Sequence, residues 1–475
     1  MNTFIPPAST SGPKRRSIAF LIVIGLFGLC FGFLFNTLDP FIYTEKIRWL
    51  ALPWLKNSAL STITIMALLA ALVVQPVVGR WSDHTRSRWG RRAPFLVVGV
   101  AGVCVSLVLM LITGEFWLVV MTAMLISAFA NVVQGPWQAL VPDQVPEQQH
   151  GTAAGIKTLV ELVGVTAGVT VAGASLARGN LWTAPLVVMG LLTTVLGITL
   201  YVITKFGHPE AADTLPNVEQ PAGAESTQPI ILPTTQPFGL PFDFAPPTET
   251  SPGKFQGRPP NYLTYFITRC FALVTLIRAV PGFAWWMVNR VLFWSAVIAV
   301  RTFMLNYMQD VLLFSPAETQ RLSSHLFLAL GIGVFLLALP AGAIADRIGR
   351  HPLLVIAGMM AALGTSILIF SRALPLLYVA AGLIGAGAGV FSSSSWALAT
   401  DLAPPKNSAL YLGLANSASV VGSISGRLGG PLIDGLNELT GVPSSGYMLV
   451  YGLSALFFVA SSLAVWGIPK VKLKD

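Results

Sequence analysis

The sequence predicts an all-α membrane protein whose twelve spans form two pseudo-symmetric halves of six helices each. Three observations carry that expectation. Of the 475 residues, 54% are hydrophobic and only 10% charged, with a mean hydropathy of +0.71. A water-soluble domain carries about a quarter charged residues, so that class is excluded. Apolar blocks of about 20 residues recur along the chain, each long enough to cross roughly 30 Å of hydrocarbon as a helix. Finally, two short motifs occur twice, in the same order, once in each half.

A cytoplasmic tail (1–17) precedes the first apolar block, "IAFLIVIGLFGLCFGFLF", in span 18–40. That run is too long for a signal-peptide core, and no small-residue cleavage site follows it cleanly. A retained first span is the expectation. Five more spans complete the first half (18–205): 57–78, 93–113, 115–138, 152–175 and 183–205. Gly and Pro recur inside them, as membrane helices tolerate. Residues 206–260 then hold twelve prolines and an acidic surplus, a composition that cannot bury a core. They read as a disordered or polyproline-like cytoplasmic linker. The following segment (261–283) is apolar but interrupted by Arg269, Arg278 and Pro281, and reads as an interfacial helix. The second half (284–469) supplies spans 284–309, 323–345, 352–371, 374–397, 408–430 and 446–469 before a short tail (470–475).

Charge sets the orientation. Lys14, Arg15, Arg16, Arg347, Arg350, Lys406, Lys470, Lys472 and Lys474 fall in tails and loops on one side. The same side holds "GRWSDHTRSRWGRRAPF" (79–95), with five arginines. By the positive-inside rule that side is cytoplasmic, and both termini with it, in a multi-pass protein of the cell membrane. The net charge of +9 therefore records topology and attraction to anionic lipid, not a nucleic-acid partner. Cys30, Cys104 and Cys270 show no pairing pattern, and the histidines (84, 150, 208, 325, 351) no ligand spacing. No metal and no cofactor is expected. With no phosphate-binding glycine loop, neither an enzyme nor an ATP-driven pump is supported.

The repeat aligns the halves. "GRWSD" (79–83) matches "GAIAD" (342–346), each closing the second span of its half. "ALVPDQVP" (139–146) matches "ALATDLAP" (397–404), and at the same offset Gly155 matches Gly413. Gly79 and Gly342 allow close helix approach, while Asp83 and Asp346 can pair with nearby arginines. The predicted clasp comprises Gly79, Asp83, Gly90, Arg91, Arg92, Gly342, Asp346, Arg347, Gly349 and Arg350. The plainer reading is that these arginines only enforce topology.

These blocks resemble the loop motif of the major facilitator superfamily, with four extra residues, "TRSR", in the first copy. That extended form, with "QPVVGRWSD" and "NVVQGPWQALVPD", is similar to the sucrose-transporter-like symporters. The glycoside–pentoside–hexuronide cation symporters are a neighbouring group. The resemblance implies the superfamily's twelve-helix fold and proton-coupled sugar symport by alternating access. It covers both membrane halves but not the linker.

Ionisable residues inside spans are costly and usually face a cavity or a partner. Glu161 lies about 15 Å into span five, near the midplane, with Lys157 one turn earlier. They form either an internal ion pair or a proton-coupling site. Asp39, followed by Pro40, is the second coupling candidate or an interfacial residue. Arg290 and Arg301 are eleven residues apart and share a face of span seven. Arg290 is expected to snorkel to the inner surface and Arg427 to sit near the outer one. Asn36, Asn131, Gln134, Trp137, Arg301 and Trp396 are the predicted substrate contacts. Amides with aromatic faces suit a sugar, though Asn and Gln also bond helices together in membranes. The expected function is a secondary transporter, most simply a monomer, moving a small solute such as a disaccharide or glycoside with a proton. A non-sugar exporter, or a pigment-handling assembly protein on the same scaffold, is the alternative.

Overall fold

A computed structural model of the chain describes residues 16–50, 55–85, 87, 92–146, 149–206, 280–402 and 408–469. The predicted linker from residue 207 onward, most of the predicted interfacial segment, the first fifteen residues and the tail 470–475 lie outside the described residues. So do the clasp residues Gly90 and Arg91, and the side chains of Asp83 and Asp346.

The first half holds α1 (Ile18–Thr37), α2 (Tyr43–Trp49), α3 (Lys56–His84), α4 (Ala93–Ile112), α5 (Phe116–Gln144), α6 (His150–Leu176) and α7 (Thr183–Phe206). The second holds α8 (Pro281–Asp310), α9 (Pro316–Ile348), α10 (Arg350–Phe370), α11 (Leu374–Leu402), α12 (Ser408–Arg427), α13 (Gly429–Thr440) and α14 (Ser445–Ala464). Eleven stretches of helix are long and apolar enough to cross a membrane. The predicted span 408–430 is the one that falls short by composition, being rich in Ser, Gly and Asn, and it runs as α12 followed by α13.

Several helices run past their predicted boundaries, α5 to Gln144 and α9 from Pro316 among them, and three of the differences are informative. The first span does not stop at Pro40. It continues through a wide π turn (Leu38–Ile42) into α2, because a proline lacks the N–H that a regular turn needs. α3 extends to His84, six residues past the predicted 78. α8 begins at Pro281, a favoured first helical position, so the last residues of the predicted interfacial segment belong to the seventh span.

The two halves repeat the same packing. α1 lies on α6 as α8 lies on α12, α3 on α5 as α9 on α11, and α4 on α5 as α10 on α11. Small residues make these crossings possible, since lipid supplies no hydrophobic push between helices. A Cβ at Gly164 would lie 2.1 Å from Leu29 O, and one at Gly168 2.7 Å from Phe33 O. Their counterparts, Gly422 and Gly426, approach Val291 O at 2.9 Å and Ser295 O at 2.3 Å. Both pairs are separated by 258 residues (422 − 164, 426 − 168), as are Ala397 and Ala139 (397 − 139). The duplication thus extends from the loops into the helix contacts.

The first turns of α4, α6, α10 and α12 mark one end, here called the arginine end. Those of α3, α5, α7, α9, α11 and α14 mark the far end. One core cluster runs through the first half and on into the far ends of α8, α9, α11 and α14. A second is confined to the remainder of the second half.

Candidate functional site

The π turn aims Asp39 into a cavity of about 260 Å³ between the halves. α1 adds Asn36, α5 adds Ser127, Asn131 and Gln134, α6 adds Glu161, α8 adds Arg301, and α12 adds Ser423 and Arg427. Phe31, Phe35 and Tyr43 supply aromatic surface. Four predicted substrate residues (Asn36, Asn131, Gln134, Arg301) and two predicted coupling residues (Glu161, Asp39) therefore meet in one space.

Two polar contacts cross it from half to half. Arg301 Nη2 donates to Asn36 Oδ1 at 2.8 Å, and Asn36 Nδ2 is held by Gly32 O at 2.8 Å. Arg427 Nη2 donates to Asp39 Oδ2 at 3.2 Å, the two side chains being only 12% and 14% exposed. Arg427 Nε and Asp39 Oδ1 remain buried without a protein partner, which leaves one donor and one acceptor unused beside the cavity. Asn131 Nδ2 binds Ser127 O at 2.8 Å.

Glu161 reaches the cavity because α1 is notched where α6 crosses it. A Cβ at Gly28 would lie 3.4 Å from Glu161 Cβ, and one at Gly32 only 2.4 Å from Glu161 O. Of the two readings for Glu161, the ion pair with Lys157 is not made among the described residues. Lys157 Nζ sits 4.8 Å above the ring of Trp137 instead. Trp137 is buried behind the cavity, donating to Ile24 O at 2.6 Å and packing on Phe27 and Phe31. Neither Lys157 nor Trp137 lines the cavity.

Trp396 also lies elsewhere, 5.0 Å from the guanidinium of Arg290. Arg290 does not snorkel. It is buried, donating to Ser419 Oγ at 2.8 Å and Ser395 Oγ at 3.2 Å. Nor does Arg427 sit at the surface, since Asp39 draws it inward. The sequence signal for that pair was an aspartate and an arginine in two different spans, but Glu161, Arg290 and Arg301 offered rival matches.

At the far end a second polar network joins the halves, and sequence reasoning missed it by treating its charges as loop residues. Lys56 pairs with Asp310, which accepts from Tyr447 Oη at 2.6 Å. Asn57 Nδ2 donates to Asp434 Oδ1 at 2.8 Å and the backbone N of Ser58 to Asp434 Oδ2 at 2.6 Å. Asn306 Nδ2 closes the set on Asn57 Oδ1 at 2.9 Å. Gly430, just past the break between α12 and α13, lets them meet. A Cβ there would lie 2.1 Å from Ser61 Oγ and 2.3 Å from Asn57 O.

The predicted clasp residues are spread over the arginine end. A Cβ at Gly79 would meet nothing within 4 Å, so close approach does not explain this glycine here, whereas one at Gly342 would meet Ser393 Oγ at 3.2 Å. Gly349 has φ +88°, a left-handed turn that favours glycine between α9 and α10. Arg92 donates to Ser82 Oγ at 2.7 Å, and Arg347 is exposed. Arg350 pairs with Asp401 and with Ala397 O, both in the repeated "ALATDLAP" block. Each of these contacts stays within one half.

The fold has parallels among solved structures. A solved nucleoside transporter, NupG, superposes with a TM-score of 0.64 at 12% identity, covering 96% of this chain and 99% of that one. A D-xylose-proton symporter gives 0.63 at 14% identity, covering 96% and 100%. Among curated proteins, the sucrose transport protein SUT1 of Oryza sativa subsp. japonica is 26% identical over 215 residues, covering 38% of this chain and 40% of that protein. SUC3 of Arabidopsis thaliana is 27% identical over 211 residues, covering 35% and 33%. The chain thus spans between a quarter and two fifths of the length of the curated relatives it matches. The family model described as Major Facilitator Superfamily matches residues 20–426 and again 302–474, the second match taking up the second half of the repeat. With that match covering nearly the whole chain, and with two six-span halves enclosing one polar cavity, the protein belongs to the major facilitator superfamily.

Proposed function

We propose that the protein is a secondary transporter that carries a small neutral polyhydroxyl solute, a sugar or glycoside, together with a proton by alternating access. The observation that carries this reading is the cavity itself. Its four ionisable groups, Asp39, Glu161, Arg301 and Arg427, sum to zero when all are charged. Amide and hydroxyl groups beside aromatic surface suit a sugar's hydroxyls and CH faces. Its volume of about 260 Å³ favours a small solute. Glu161 is the proposed coupling carboxylate. It lines the cavity and makes no ion pair among the described residues, so a proton can occupy it without breaking one. Asp39, tied to Arg427 across the halves, is the proposed link between substrate occupancy and domain movement. The sucrose transport proteins among the relatives support the sugar class, and the arginine end is taken as cytoplasmic by the positive-inside rule.

The test is uptake in proteoliposomes across a panel of labelled sugars including sucrose, with and without an inward proton gradient. Wild type is expected to accumulate one of them only with the gradient. Glu161→Gln should lose accumulation yet keep solute exchange, since exchange does not require the proton to load and unload. Full gradient-driven accumulation by that variant would remove Glu161 from the coupling role. Failure of every sugar to accumulate would overturn the substrate class.

A further inference from the structure

A second groove, of about 360 Å³, lies at the far end where α6 of the first half meets α9 of the second. Its polar lining is basic and hydroxylated, with Arg178, Arg321 and His325 beside Thr170 and Ser324, and no carboxylate borders it. Arg178, Arg321 and His325 are all exposed, and neither arginine side chain has an ion-pair partner among the described residues. Three other basic groups at this end are ion-paired, Arg48 with Glu45, Lys56 with Asp310 and Arg427 with Asp39, whereas Arg372, outside the groove, is not paired among the described residues. The groove therefore presents two unneutralised guanidinium groups.

Helix geometry shows which way it opens. Thr170 is nine residues from the cavity-lining Glu161, which at about 100° per residue places it on the opposite face of α6. Thr170 and Ala174 are exposed there, inside a span, so this wall faces the bilayer. Arg178 lies just beyond the end of α6, and Arg321 about 7.5 Å into α9 at 1.5 Å per residue. Both therefore sit at headgroup depth. His325, one turn deeper on the face of Arg321, is within 3.4 Å of Tyr378 Oη. The back of the groove is the tightest crossing between the halves, where a Cβ at Gly173 would lie 1.5 Å from Ser324 Oγ.

We propose that this groove binds the phosphodiester headgroup of an anionic membrane lipid, with Arg178 of one half and Arg321 of the other gripping the same phosphate. Guanidinium pairs suit phosphate oxygens, and basic pockets between membrane helices are where such headgroups settle. A free phosphate would use the same chemistry, but the groove opens toward acyl chains. Because its walls belong to different halves, the lipid bridges them only while the far end is closed, and so favours that state. This last consequence rests on the alternating-access reading, whereas the binding does not.

Native mass spectrometry of the purified full chain, titrated with phosphatidylglycerol or phosphatidylcholine, tests the binding. Wild type should retain phosphatidylglycerol in preference to phosphatidylcholine. Arg178→Gln with Arg321→Gln should weaken that retention at least tenfold, and Arg372→Gln, an exposed arginine outside the groove, should leave it unchanged. Equal retention of the two lipids by wild type would overturn the proposal without any variant needing to fold. Inorganic phosphate displacing the lipid at matched concentration would reassign the site to a free anion. Undiminished retention in the double variant would move it elsewhere on the protein. Accessibility of a cysteine placed at Ser58 should rise in phosphatidylcholine-only bilayers. No rise, with lipid selectivity intact, would leave the site standing and sink only its regulatory consequence.

Discussion

At the far end of the molecule the two halves are bonded to each other, while at the arginine end the side-chain contacts named above, among the described residues, each lie within one half. The far end joins α3 to α8, α12, α13 and α14 through Lys56, Asn57, Ser58 and Ser61. It also presses α6 against α9 at Gly173, and one hydrophobic core runs across the boundary. At the arginine end Arg92 donates to Ser82 and Arg350 pairs with Asp401, both contacts within one half, and the second core cluster keeps to its own half. The contrast identifies a conformation closed at the far end, with the cavity's crossing contacts, Asn36 to Arg301 and Asp39 to Arg427, just beneath the closure. On the proposed alternating-access reading, these far-end contacts are the ones that break during a cycle.

The largest effect is expected where backbone meets backbone. Gly430→Val would force a side chain into Ser61 Oγ and Asn57 O, and overpacking of this kind costs about 1–3 kcal/mol. The closure would open, so a cysteine at Ser58, in a background lacking the three native cysteines, should label much faster. Unchanged labelling in folded protein would mean that the network alone holds the end shut.

A somewhat smaller effect is expected for Asp434→Asn. The buried carboxylate accepts from Asn57 and from the Ser58 backbone, and hydrogen bonds to a charged group are worth about 1.5–3 kcal/mol. The shift should appear as faster labelling at Ser58, without loss of the labelling pattern at the arginine end. Lys56→Gln, whose pair with Asp310 is partly exposed, should shift the balance by less than about 1 kcal/mol.

Next come contacts confined to one half. Lys157→Gln removes a cation from the Trp137 face, a contact worth about 1–2 kcal/mol when desolvated. In a thermal-stability cycle its cost should add to that of Glu161→Gln, because the two side chains do not pair. Rescue of Glu161→Gln by Lys157→Gln would restore the ion-pair reading. Arg350→Gln should be the mildest at the far end. It frees Asp401 at the arginine end and leaves Ser58 labelling unaltered if the two ends respond separately. A change there would reveal long-range coupling through α9 or α11.

The helical class, the spans, the duplication and the family were legible in the amino-acid sequence because each depends on local composition and on motifs that survive in linear order. Apolar length decides what lies in a membrane, and a common offset of 258 residues is arithmetic on the chain. Glu161 was legible as well, since a carboxylate inside an apolar span draws notice wherever the helix turns. Its counterpart by the same offset is Ser419, which accepts from Arg290, so the repeat conserves the crossing but places the acid in one half only. Partners were a different matter. Lys157 follows Trp137 instead of Glu161, Arg290 turns inward to two serines, and Arg427 crosses to Asp39. A long cationic side chain can reach several neighbours, and which one it meets depends on how helices distant in sequence cross. The far-end network is subject to the same limit. Lys56, Asp310 and Asp434 read as ordinary loop charges until α12 breaks before Gly430 and brings α13 against α3. Helix length and depth are properties of a segment, whereas contact between halves is a property of their relative position, and only the tertiary structure carries that.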